Sequence, residues 1–141
     1  MIPHFSDYQF IMAGVTHLGK DYYQPFLESN ACDIIYDDTY ALLQKADAAL
    51  VTSGTATLET ALFKVPQIVC YKRNPLSYEI SKRLIKVPFI ALVNLIMGRK
   101  IVEELIQTSL TEDNLVRELK RILDPIYREK LRLEYDVMRK K

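Results

Sequence analysis

The chain has no tryptophan and, in 141 residues, only 4 glycines, 2 cysteines and 2 histidines. Each scarcity removes a class of protein. Cys32 and Cys70 both sit in apolar, strand-like runs, which reads as reduced core thiols in a cytosolic protein and not as a disulfide framework or a metal pair. His4 and His17 stand apart from each other and from any cysteine, so no zinc-ligand spacing and no Ser-His-Asp or Cys-His arrangement can be built. No run approaches the roughly 18 apolar residues that a spanning helix needs. Residues 1–7 lack a basic region followed by an apolar stretch, so no signal peptide is expected. Charge of one sign is lacking as well. The 19 Lys and Arg against 18 Asp and Glu leave a net charge of +1, which argues against nucleic acid as the main partner.

What is present is a soluble globular composition, 49% hydrophobic and 26% charged, of a length that fits one domain. Strand-like and helix-like stretches alternate. Residues 8–14 read as a short buried strand ending at Gly14, 21–29 as a helix and 32–36 as a second strand. Asp37-Asp38 precede a helix over 39–46, and Asp38 reads as its N-cap more simply than as half of a metal pair. Further strands are expected at 48–52, 67–71 and 89–93. Helices are expected at 55–63, stopped before Pro66, and at 77–84, 102–107, 113–123 and 125–139. Such alternation predicts an α/β fold: a Rossmann-like parallel sheet with flanking helices, buried on both faces. Such sheets bind ligands outside the carboxyl ends of their strands. The first strand-like segment, 8–14, looks like the second strand of such a domain and not like a central first one.

The most informative segment is Val51-Thr52-Ser53-Gly54-Thr55-Ala56-Thr57-Leu58-Glu59. An apolar run, 48–51, stops at small polar residues that open a helix. A strand turning into a helix through Ser-Gly-Thr presents free backbone N–H groups at the helix N-terminus, and such a site attracts phosphate. Glu59, about one and a half turns beyond Gly54, could reach sugar hydroxyls beside that phosphate. Taken alone, the same residues could be a plain helix cap with a solvated glutamate.

Two further blocks stand out. In Asn94-Leu95-Ile96-Met97-Gly98-Arg99, Asn94 lies just beyond an expected strand, where an amide can donate and accept at once, and Gly98 permits a tight turn. Glu104 and Gln107 follow on an expected helix, three apart and so on one face. A loop amide, a turn glycine and an exposed face are the alternative. Tyr71-Lys72-Arg73 follows a strand and could stack on a base or hold phosphate, or be a solvated loop. Lys82, Arg83 and Lys86, beside apolar Ile80, Leu84 and Ile85, form either a solvated face or a patch for anionic membrane lipid.

In this order the blocks resemble lipid A disaccharide synthase, and specifically its C-terminal, UDP-sugar-binding half. The matching residues are Tyr36-Asp37-Asp38-Thr39, Ala46-Asp47-Ala48, Ser53 to Glu59, Val65-Pro66-Gln67-Ile68-Val69-Cys70-Tyr71-Lys72, Ser81-Lys82-Arg83-Leu84, Asn94 to Arg99 and Glu104-Leu105-Ile106-Gln107. The likeness runs from about Phe5 to about Leu123. It implies the C-terminal domain of a GT-B fold over residues 1–123, followed by a C-terminal helix over 124–141. It also implies a glycosyltransferase of lipopolysaccharide and lipid A biosynthesis. The family moves diacylglucosamine from UDP-2,3-diacylglucosamine to 2,3-diacylglucosamine 1-phosphate, at the cytoplasmic face of the inner membrane, to which it is peripheral. By the same resemblance Ser53, Gly54, Thr55 and Ala56 would contact the UDP diphosphate, Glu59 the ribose and Tyr71 the nucleotide pocket. Asn94, a candidate catalytic residue, would close the site with Gly98, Arg99, Glu104 and Gln107. UDP-sugar is a substrate, and neither cofactor nor metal is expected.

The chain departs from the family at Val93 and Glu103, where proline is usual. The acceptor-binding domain, the Leu-Pro-Gly-Ser-Arg loop and the central first strand that precedes that loop are not found in the sequence. A truncated or split product without transferase activity of its own is therefore expected. Its gap would be filled by a rearranged strand order, by homodimer pairing or by a missing N-terminal half. Another GT-B UDP-hexosamine enzyme, such as a UDP-N-acetylglucosamine 2-epimerase, and a non-catalytic α/β interaction module are the alternatives.

Overall fold

A computed structural model describes residues 1–30, 32–52, 54–72 and 88–141. Ser53 and the segment 73–87, with its expected helix and the basic residues Arg73, Lys82, Arg83 and Lys86, lie outside the described residues. The architecture is α/β, and the described residues fall into two units, 1–46 and 47–141.

In the first unit, β1 (Ile11–Gly14) and β2 (Asp33–Tyr36) pair in parallel, Ile11 opposite Asp33 and Gly14 opposite Tyr36. Helix α1 (Lys20–Asn30) makes the crossover, and α2 (Thr39–Lys45) follows β2. The expected cap at Asp38 is present: its Oδ1 accepts from the Ala41 N–H at 3.3 Å. Asp37, held at φ 55°, ties the ends of the two strands together. Its carboxylate accepts from the Thr16 hydroxyl at 2.5 Å and the Thr16 N–H at 3.1 Å, and the hydroxyl bond is the larger cause of its lowered pKa. Gly14 is closely approached: a Cβ there would meet Ile34 Cδ1 at 2.6 Å, so the Ile34 side chain would have to shift.

In the second unit, β3 (Ala49–Val51), β4 (Gln67–Tyr71) and β5 (Glu103–Ile106) form a parallel sheet in that order. Helix α3 (Thr55–Leu62) joins β3 to β4, and α4 (Leu92–Met97) precedes β5. Helices α5 (Glu112–Leu123) and α6 (Pro125–Met138) complete the unit. Its core gathers Ala61 from α3, Val69 from β4, Val93 and Met97 from α4 and Leu131 and Tyr135 from α6. Among the described residues β1 pairs only with β2, and β3 only with β4. The parallel ladders, taken one by one, fit a Rossmann-like fold, and within each ladder the strands follow chain order.

Two expectations fail. Residues 89–93 do not form a strand: only Ala91 makes a lone parallel bridge, to Gly54, and a helix starts at Leu92. Only Leu92 and Val93 of that apolar run enter the helix, where Val93 and Met97, four apart, are both in the core. Residues 102–107 are not a helix either, because Glu103–Ile106 is β5. Pairing with β4 and burial of Leu105 outweigh the helix preference of two adjacent glutamates.

Candidate functional site

Strand β3 runs into α3 through Gly54, which sits at φ 108°, ψ −156°. That region is open to glycine and costly to every residue with a Cβ. As N-cap, Gly54 brings no side chain, so the first turn of α3 has no side-chain cap. The turn is held from within: the Thr57 hydroxyl donates to the Gly54 carbonyl at 2.8 Å, and the Thr57 N–H to the same oxygen at 3.2 Å. From below, the buried Gln67 Nε2 of β4 donates to the Thr57 carbonyl at 2.8 Å. Gly54, Thr55 and Ala56 are exposed. The leading N–H groups of a helix have no acceptor within it, so this end carries a partial positive charge facing solvent. Glu59, half-buried on the second turn, has no side-chain hydrogen bond or ion pair among the described residues. Tyr71 ends β4 and is also half-buried.

Beside this turn lies a connected polar group. The Glu104 carboxylate accepts from the Ile90 N–H at 3.0 Å, the Ala91 N–H at 3.0 Å and Asn94 Nδ2 at 2.8 Å. Asn94 is fully buried. Its Oδ1 accepts from the Ile101 N–H at 2.8 Å and the Val102 N–H at 3.0 Å, and its Nδ2 also donates to the Val102 carbonyl at 3.0 Å. Two donated and two accepted bonds exhaust what a primary amide offers. Ala91, whose N–H meets Glu104, is the residue bridged to Gly54.

Of the residues that the sequence singles out, the structure brings Gly54, Thr55, Ala56 and Glu59 onto the first two turns of α3, with Asn94 and Glu104 in contact next to them. Gly98 and Arg99 are placed elsewhere. Gly98, at φ 65°, ends α4 at the end opposite Ala91, about 10 Å away along the helix axis. The Arg99 guanidinium is paired with Glu134 of α6. Gln107 opens a short 3-10 turn after β5, at φ 51°. Sequence reasoning missed Gln67 and Ala91. A glutamine opening the otherwise apolar strand Gln67–Tyr71 was a readable signal for the first; an alanine that acts through its backbone gives none.

Among the described residues, no helix is long and apolar enough to cross a membrane. A family model described as lipid-A-disaccharide synthetase matches residues 5–138. A lipid-A-disaccharide synthase of Geobacter sulfurreducens is 37% identical over 140 residues, which cover 97% of this chain and 36% of that protein. The enzyme of the same name from Psychromonas ingrahamii is 42% identical over 123 residues, 84% of this chain and 32% of that one. Another from Acidobacterium capsulatum reaches 49% over 82 residues, 58% of this chain and 20% of that one. The chain spans about a third of the length of the first two of these relatives.

Proposed function

The chain belongs to the lipid-A-disaccharide synthetase family, and from that premise we propose that it supplies the UDP-binding half of the transferase. The whole enzyme would move a diacylglucosamine unit from UDP-2,3-diacylglucosamine to 2,3-diacylglucosamine 1-phosphate, releasing UDP. It would work in the cytoplasm, peripheral to the inner membrane, and this part would be inactive without an acceptor-binding half. The observation that carries the reading is the exposed start of α3 at Gly54, which has no side-chain cap, with Glu59 one and a half turns in and without a side-chain partner among the described residues.

The chemistry follows from charge. As the glycosidic bond to UDP breaks, negative charge grows on the diphosphate. The N–H groups of Thr55 and Ala56 and the positive end of α3 meet that charge without having to reorganise, which lowers the barrier. This uses no metal. Ser53 and Thr55 would add hydroxyl donors, and Tyr71 would flank the base. Glu59, whose carboxylate has no partner among the described residues, would take the two ribose hydroxyls.

Isothermal titration of the chain with UDP tests this. Binding is expected, and Glu59→Ala should weaken it by roughly tenfold or more, since a hydrogen bond to a charged group contributes about 1.5–3 kcal/mol. No heat at millimolar UDP would count against a nucleotide site in this chain. Adding a separately expressed acceptor-binding half should then restore disaccharide formation.

A further inference from the structure

We propose that Glu104 and Asn94 are positioning residues: they form a bracket that holds the Ile90-Ala91 backbone against Gly54 and so fixes the shape of the phosphate turn, without touching the ligand. The proposal rests on reading the start of α3 as that turn.

The bracket reaches across the sheet. Glu104 is on β5, and β4 lies between β5 and β3, the strand that leads into Gly54. From β5 the Glu104 side chain reaches the N–H groups of Ile90 and Ala91, just before α4. The N-cap of α4 is Ala91, which has no side chain able to cap. Glu104 therefore holds, from another element, the two N–H groups that precede α4, and sets its carboxylate near the positive end of the helix. Charge-assisted bonds of this kind are the stronger class. Asn94 fastens the other side. Its oxygen takes the N–H groups of Ile101 and Val102, so the loop entering β5 and the start of α4 are locked to one amide.

The bracket ends at Ala91, and Ala91 bridges to Gly54. Gly54 has the greatest backbone freedom of any residue in the turn and no side chain to hold it. Inside α3 only Thr57 restrains its carbonyl. The Ala91 backbone is the external restraint, and its own position is set by Glu104. Substrate contact is an unsuitable role for Asn94, since its four hydrogen bonds are all made within the protein. Glu104 likewise spends its carboxylate on three protein donors.

A ligand contact and a positioning role separate in the nucleotide-free protein. Amide hydrogen exchange of the ¹⁵N-labelled chain is compared between the native sequence and Glu104→Gln, which keeps the shape but turns one acceptor into a donor. Protection at Ile90, Ala91, Gly54 and Thr57 should fall about tenfold, the loss of one charge-assisted bond, while Leu119 and Ile122 of α5 stay within about twofold. Glu104→Asp, which keeps the charge, should restore part of the loss. UDP affinity should fall with the protection. Unchanged exchange at Gly54 and Thr57 together with weakened UDP binding overturns the proposal in favour of direct contact. A measurement on the native chain alone covers the case in which the variants do not fold. Gly54 and Ala91 should open with one common free energy and one denaturant dependence, and different values overturn the bracket. Absence of UDP binding with the exchange pattern intact would remove the nucleotide reading and leave the bracket standing, so the two failures are distinguishable.

Discussion

The Cys70 thiol shows how burial alone sets a residue's chemistry. It lies on β4, and its Sγ has only a weak contact with the Ile68 carbonyl, at 3.9 Å. Burial raises its pKa to about 11, because a thiolate there would lose its hydration. The folded chain holds this proton at a pH where the unfolded chain releases it. The stabilisation is therefore whole below the ordinary thiol pKa and is lost as pH rises toward 11. At pH 8, iodoacetamide should label Cys70 in urea and leave it nearly untouched in buffer. Between pH 9 and 11, the urea midpoint of the native sequence should fall further than that of Cys70→Ala. Equal labelling in both solvents would contradict this account. The sequence marked the Asp38 cap, whereas Cys70, expected in the core, is half-buried. The sequence could not mark the role of Asn94. An amide expected on a loop after a strand lies instead inside a helix, saturated by bonds to residues seven to ten positions away. Glu104 and Gln107 were expected to share a helix face, but Glu104 lies on β5 and Gln107, at φ 51°, opens the 3-10 turn that follows it.

At the scale of elements, sequence and structure agree where local signals suffice. Helix α5 has Thr111 accepting from the Asn114 N–H at 3.3 Å, Glu112 and Asp113 in its first turn and Lys120 and Arg121 in its last. These features favour a helix before any tertiary contact forms. Asp124 then ends α5 and starts α6, where its carboxylate accepts from the Tyr127 N–H at 2.9 Å and Pro125 fills the first position. Asp124→Ala should lower stability by about 1 kcal/mol, read as a shift in denaturant midpoint at constant m-value. No measurable shift would mean that packing alone sets this corner. Where sequence and structure part, tertiary pairing decides. Glu103-Glu104 looks helical on its own, yet Leu105 beside Cys70 and Glu104 beneath the Ala91 N–H make it a strand. Nothing within a ten-residue window carries that information.

Over the whole molecule, the buried residues are unevenly shared. Phe5, Tyr23 and Leu43 are the buried large side chains described in residues 1–46, whereas 47–141 hold Val51, Ile68, Val69, Met97, Leu119, Leu131, Tyr135 and more. Chains below about 40 residues usually need outside support to fold, and those near 60 are marginal. Expressed alone, residues 47–141 should unfold cooperatively on heating, and 1–46 should show no transition. A cooperative melt of 1–46, or none for 47–141, would show that stability is distributed otherwise. The class of fold could be read from the alternation of strand and helix. The grouping of the described strands into ladders of two and three follows from which backbones pair, and a period of two does not encode that.

Gly54 and Gly14 differ in how they could be replaced. At Gly14 an added Cβ collides with Ile34, so trimming Ile34 could compensate. At Gly54 the space is open and the obstacle is the torsion itself. Every missense codon one nucleotide from glycine adds a Cβ, and no change in a neighbour's volume relieves a torsion. A mutational lineage can therefore regain a lost Gly14 by a second-site suppressor, whereas a lost Gly54 is regained only by reversion.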